Sequence, residues 1–242
     1  MKFIEKVKNF INEYFFNPKW RCNVCGKEIF EDKFFCEDCY NNLPFNNGLI
    51  CNHCGRKVVG AEEYCTTCKN VLVSIDKGRS VFNYEGEIRK LITSAKYSGR
   101  KYLFQAFAEE MGELYYKNNF NADLLCFVPT TDKALKKRGY NQSRILAQSL
   151  SKKINVPVSE CLIKTKETPR QAKLNRTERL KNLQGVFKVC DKKEIKDKTI
   201  VLIDDVATTG STSEVIASVL KKAGAKCVYL LSVASVPPID GY

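Results

Sequence analysis

Residues 201–212 read Val201-Leu202-Ile203-Asp204-Asp205-Val206-Ala207-Thr208-Thr209-Gly210-Ser211-Thr212. An apolar run ends in two carboxylates, and a small, hydroxyl-rich loop follows. Thr199 to Ile203 is β-rich and apolar on both faces, which predicts a parallel strand covered by helices. Ligands in open α/β sheets bind beyond the carboxyl ends of such strands. Asp204 and Asp205 stand there as hydrogen-bond acceptors for vicinal sugar hydroxyls. Ala207 and Gly210 leave room for close backbone approach. Thr208, Thr209, Ser211 and Thr212 supply hydroxyl donors, and the loop amides supply N–H donors. A helix predicted over 213–223 points its N-terminus at the loop, which favours a phosphate. Val215, Val219 and Leu220 form its apolar face, and Gly224 is its stop. Lys226 to Ser235 reads as the next buried strand. A plain polar turn between strand and helix accounts for Thr-Thr-Gly alone, but not for all twelve residues in this order. The stretch reads as a site for a phosphorylated sugar.

In its sequence of parts the stretch resembles the phosphoribosyl-pyrophosphate (PRPP) signature of the type I phosphoribosyltransferases. That resemblance implies PRPP binding by Asp204, Asp205 and residues 207–212.

The chain has 242 residues, enough for one or two domains. Twelve cysteines are many, and eight fall in four Cys-x-x-Cys pairs: Cys22/Cys25, Cys36/Cys39, Cys51/Cys54 and Cys65/Cys68. Paired spacing without a secretory pattern points to metal in a reducing cytosol and not to disulfides. The pairs form two units with the same inner spacing, an internal duplication. Gly26 and Gly55 follow the first knuckle of each unit, where glycine lets amides turn toward thiolate sulfur. Four thiolates suit tetrahedral structural Zn2+, so two Zn2+ are expected, with no open position for catalysis. Two sequential ribbons are the simplest topology; a cross-braced one pairs Cys22/Cys25 with Cys51/Cys54. His53, the chain's only histidine, is read as a knuckle residue and not a ligand. Cys126, Cys161, Cys190 and Cys227 are read as ordinary buried thiols.

Residues 1–20 mix Lys2, Glu5, Lys6, Lys8 and Glu13 with apolar positions, unlike a signal peptide. Phe3, Ile4, Val7, Ile11, Tyr14 and Phe15 mark an amphipathic helix expected to pack on the neighbouring domain; membrane-surface contact is the weaker alternative, given the mixed polar face. No run approaches ~20 apolar residues, so no stable membrane insertion is expected. The expected division is 1–20 amphipathic helix, 21–75 double zinc ribbon and 76–242 phosphoribosyltransferase domain.

The formal charge is +13. It concentrates in residues 133–181, with 14 basic against 3 acidic side chains. A polyanionic substrate needs cations, but 14 exceed what one small ligand contacts. The surplus reads either as a solvated basic face or as a single-stranded nucleic-acid track.

Asn121 to Pro129 predicts another strand, ended by the polar turn Pro129-Thr130-Thr131, and Lys133 to Lys137 a basic helix. Arg138-Gly139-Tyr140-Asn141-Gln142-Ser143 then follows; its polar residues either serve a site or cap a helix beginning near Ser143. Residues 168–183 lack apolar periodicity and read as a mobile lid or a surface loop. The double four-cysteine module, Tyr84-x-Gly86, Lys96-Tyr97-x-Gly99-Arg100, the Arg-Gly-Tyr-Asn-Gln segment, the Gln171-Ala172 to Asn182 segment and the 201–212 loop occur in this order in the ComF family. The chain resembles that family of amidophosphoribosyltransferase-like proteins, tied to natural competence and DNA uptake, over essentially its whole length.

The resemblance implies an α/β protein: a type I phosphoribosyltransferase fold, with a mostly parallel sheet flanked by helices, behind a double zinc-ribbon domain. It implies a cytoplasmic role in transformation with competence proteins as partners. The expected reaction moves ribose 5-phosphate from PRPP to an unnamed acceptor, with Mg2+ accompanying PRPP. Asp204 and Asp205 are the expected catalytic carboxylates, with Lys173, Arg176 or Arg170 over the departing diphosphate. Thr130, Thr131, Arg138 and Asn141 are the remaining expected PRPP contacts. The competing class is a non-catalytic binder that senses PRPP or a nucleotide while its basic face holds single-stranded DNA.

Overall fold

The computed structural model describes residues 20–58, 62–69, 73–167, 178 and 182–237. The helix expected over 1–20, apart from Trp20, and Arg170, Lys173 and Arg176 lie outside them. Four parallel strands, β1 (Lys77–Asn83), β2 (Leu124–Phe127), β5 (Thr199–Ala207) and β6 (Cys227–Ser235), form one sheet in the order β1-β6-β5-β2. β3 (Leu162–Lys164) and β4 (Phe187–Val189) make a separate antiparallel pair. The helices are α1 (Glu37–Asn41), α2 (Thr66–Lys69), α3 (Gly86–Tyr97), α4 (Leu103–Lys117), α5 (Asp132–Arg138), α6 (Gln142–Ile154), α7 (Lys192–Ile195) and α8 (Ser211–Lys222).

Both faces of the sheet are covered, so its strands are apolar on both sides. Side chains alternate between faces along β5. Val201 and Ile203 join Leu91, Phe104, Phe107, Leu146 and Leu150 from α3, α4 and α6. Ile200 and Leu202 join Ile216, Ala217 and Leu220 from α8 and Phe187 and Val189 from β4. Among the described residues no helix is long and apolar enough to cross a membrane.

The cysteine-rich module does not sit apart from this sheet. It covers the outer edge of β1, which would otherwise present unpaired N–H and C=O groups. Asn46 N donates to Val81 O at 2.8 Å, Asn83 N to Pro44 O at 2.8 Å and Gly78 N to Asn52 O at 3.2 Å. Cys22, Phe34, Phe35 and Leu43 belong to the same apolar cluster as α3, α4 and α6. The duplication repeats the docking as well. Asn23 Oδ1 accepts from Arg100 Nη2 at 2.6 Å and Tyr102 OH at 3.0 Å. Asn52, at the matching place in the second unit, accepts from Arg79 Nη2 at 3.4 Å.

Two boundaries differ from expectation. β5 runs past Ile203 to Ala207, because β6 continues beside it and pairs Asp204 with Ser232 and Ala207 with Ser235. The two carboxylates therefore lie in the last turn-ward residues of the strand, not beyond it. α8 starts at Ser211 and not Ser213, since Gly210 takes a left-handed conformation, φ 73°, and caps it.

Candidate functional site

The metal module comes first in the chain. Cys22, Cys25, Cys36 and Cys39 bring their sulfurs within 4.8 Å of one another, as do Cys51, Cys54, Cys65 and Cys68. The ribbons are therefore sequential and not cross-braced. Cys25 and Cys36 sulfurs are 3.8 Å apart, and so are those of Cys54 and Cys65. That is the edge of a tetrahedron with Zn–S bonds of ~2.3 Å, so both sets fit structural zinc. Each knuckle turns at its glycine: Gly26 N donates to Cys22 O and Gly55 N to Cys51 O, both at 2.9 Å. His53 is no ligand: its Nδ1 lies 3.3 Å from Ile75 O and its ring stacks on Tyr64. Arg56 donates to Cys54 sulfur at 3.5 Å and Cys65 sulfur at 3.7 Å, offsetting the excess negative charge of four thiolates. Sequence reading missed Arg56. The hint was a cation at the same place in both units, Lys27 and Arg56.

The second site gathers at the carboxyl edge of the sheet. Asp204 Oδ1 accepts from Asp205 N at 2.8 Å and from Ser143 Oγ at 3.4 Å. Burial, then the neighbouring Asp205 charge, pushes the Asp204 carboxyl up to about 7. Asp205 is buried and its Oδ2 accepts from Lys96 Nζ at 2.7 Å and Gln142 Nε2 at 3.1 Å. Burial lowers the Lys96 ammonium, but the attraction of Asp205 and Asp204 outweighs it and moves Lys96 above its ordinary value. Lys96 comes from the last turn of α3 and Gln142 from the first turn of α6.

The loop after β5 presents Thr208, exposed, and Thr209, Gly210 and Thr212, each half-buried. Ser211 is buried, with its hydroxyl 2.9 Å from that of Thr209. Gly210 brings no side-chain cap to α8, so the helix N-terminus offers its amides to an anion. Ala207 is buried at the strand end. The turn after β2 holds Thr130 and Thr131 half-exposed, beside the same edge, since Val128 N donates to Ile203 O. The Thr131 hydroxyl caps α5 through Ala134 N at 3.2 Å.

Two expected contacts are engaged elsewhere. Arg138 stacks on Tyr97, 5.2 Å from the ring centroid, and donates to its hydroxyl at 3.3 Å. Asn141 caps α6: its Oδ1 accepts from Ser143 N at 3.0 Å and Arg144 N at 3.4 Å, while Nδ2 donates to Val128 O at 3.0 Å. Its amide thus fixes the turn that delivers Gln142 and Ser143 to the carboxylates. Lys96 and Ser143 are the residues of this cluster to which the sequence reading gave no site role of their own, and Gln142 had been read as serving either a site or a cap. All three lay inside noted segments, but nothing local ties them to the carboxylates.

Two family descriptions match parts of the chain. Residues 12–69 match the family described as "Double zinc ribbon domain", and residues 138–237 match "Phosphoribosyl transferase domain". The chain is 35% identical to "Competence protein F" of Haemophilus influenzae over 100 residues, 40% of this chain and 44% of that protein. It thus spans under half of that relative's length. It is 28% identical to "DNA utilization protein YhgH" of Escherichia coli strain K12 over 218 residues, 86% of each chain. Among solved structures it is similar to a hypoxanthine phosphoribosyltransferase from Staphylococcus aureus, with 15% identity, TM-score 0.37 and 57% of this chain covered against 68% of that one.

Proposed function

The chain belongs to the ComF family, and from that premise we propose that it binds PRPP with Mg2+ at the carboxyl edge of its sheet and transfers ribose 5-phosphate to an acceptor nucleophile. One observation carries the reading: two adjacent carboxylates at a strand end, followed within one short loop by a glycine-capped helix N-terminus. Asp204 and Asp205 serve the ribose hydroxyls, and residues 207–212 serve the 5-phosphate. Thr130 and Thr131, with Arg170, Lys173 or Arg176, serve the diphosphate. The C1′–O bond to diphosphate breaks as the acceptor bonds to C1′ from the opposite face, and diphosphate leaves. Positive charge on the ring is favoured by the carboxylates, so catalysis is positioning plus charge stabilisation. Mg2+, arriving with PRPP, would offset the charge of the departing diphosphate and would keep some of its own water.

The acceptor belongs to the chemistry of competence and DNA utilization, a reading that the names of the two relatives support; the proposed place of action is the cytoplasm. PRPP-dependent diphosphate release, screened against nucleobases, amines and DNA ends, tests the activity. Release with one of these acceptors supports transfer; PRPP binding without release under any of them leaves a sensor.

A second reading has its own observation. Lys133 and Lys136 stand exposed on α5 and Lys152 on α6, in the most basic part of the chain. These favour contact with single-stranded DNA. Such binding should fall steeply with salt, because each neutralised phosphate releases counterions. Neutralising Lys133, Lys136 and Lys137 together should flatten that slope and leave PRPP binding intact; a mutant that loses both activities in proportion while folded contradicts separate roles.

A further inference from the structure

The two carboxylates at the strand end are not equivalent. Asp205 is engaged by a cation and an amide, Lys96 at 2.7 Å and Gln142 at 3.1 Å, both on the same oxygen. Its side chain is 11% exposed, and that of Lys96 is 16% exposed. Asp204 is engaged only by neutral donors in the hydrogen bonds given above, the Asp205 amide and the Ser143 hydroxyl. Lys96 stands in the last turn of α3, where the helix end favours a cation. Its ammonium has three donors, and its neighbours within the cluster are the two carboxylates and, by charge, Tyr84 from the turn after β1. α6 contributes Gln142 and Ser143, both uncharged. Two carboxylates this close in a half-buried site cannot both stay ionised without a cation, because like charges favour protonation of one.

On the reading of this edge as a PRPP site, we propose that Lys96 is a positioning residue: its ion pair orients Asp205 and sets a positive charge beside both carboxylates, and leaves Asp204 as the first acceptor for the ribose hydroxyls. Asp205, with one oxygen taken up by Lys96 and Gln142, is the second acceptor. The helix-to-strand link from α3 to β5 is part of the site.

Mg2+-dependent PRPP binding by the zinc-loaded protein, measured by calorimetry between about pH 5.5 and 9, tests this. In wild type, affinity should rise as Asp204 ionises, through about pH 7. Lys96→Met should weaken binding on the order of 30-fold at neutral pH and move the midpoint up by about one pH unit, since the pair now shares a proton. Lys96→Arg keeps the cation and should restore most of the affinity and the original midpoint. If Lys96→Met does not fold, Gln142→Leu removes the other donor to the same oxygen and should move the midpoint in the same direction by a smaller amount. Wild-type affinity and midpoint in the folded Lys96→Met variant overturn the role. So does a loss that is equal at every pH and is not rescued by arginine, which marks a merely structural lysine. Wild type that fails to bind PRPP at any pH overturns the reading of the site itself, an outcome distinct from the other two.

Discussion

Burial raises the Asp204 carboxyl from an ordinary 3.8 to about 7, so the form able to receive a sugar's hydroxyls is the one that folding disfavours. At this group the native state binds more protons than the unfolded chain between those two values, so the contribution of Asp204 to stability should fall as pH rises from about 4 to 7 and be level above. Asp204→Asn should then stabilise the fold by about 1–3 kcal/mol above pH 7 and change it little below pH 4, while PRPP binding is lost. Denaturant titrations at pH 4 and at pH 8 check this; a destabilised variant at the higher pH is the contrary result. Asp204 and Asp205 were legible in the sequence because an apolar run ending in carboxylates is a local pattern. The contacts of Lys96 and Gln142 with Asp205 were not, because these residues reach it from α3 and α6 only once the sheet has formed. Asn141 had two readings, and its hydrogen bonds give it the helix cap.

The least expected contact between elements is the second knuckle against β1. A Cβ on Gly78 would lie 2.5 Å from His53 O and 2.7 Å from Cys54 C, and both are backbone atoms that cannot swing aside. Gly78→Ala should therefore destabilise the protein by about 1–3 kcal/mol and loosen the 51–68 zinc site with it. Chelator-driven zinc release, faster in the variant for one equivalent of the two, checks the coupling; unaltered release at both sites contradicts it. No periodicity announces such an approach. The sequence shows Gly55 beside a knuckle, but the partner glycine lies on a strand whose place in the sheet is set by β6. The same dependence explains β5: its apolar run was readable, yet its length was decided by the strand next to it.

At the scale of the whole molecule, metal and sheet are one unit. The ribbon supplies the hydrogen bonds that close β1, and its Phe34 and Phe35 sit in the core shared with α3, α4 and α6. A module with so little core of its own draws folding energy from zinc. Removing Zn2+ should lower the melting temperature of the entire chain and expose a strand edge, seen as a single calorimetric transition followed by aggregation. A sheet domain that melts unchanged after chelation contradicts this. Cys22→Ser should lose one Zn2+ and leave the 51–68 ribbon loaded, as sequential sites require. The order of the two domains was legible from cysteine spacing and the 201–212 stretch, both of them local; the docking of one on the other was not, because it rests on backbone contacts.

Titration of the zinc-loaded protein with PRPP and Mg2+, in wild type and in the Asp204→Asn, Asp205→Asn double variant, bears most directly on the strand-end site. Saturable binding at one site per chain in wild type, weakened by ~100-fold or more in the folded double variant, is predicted, because two charged acceptors are lost. Equal PRPP affinity in the two proteins would contradict it.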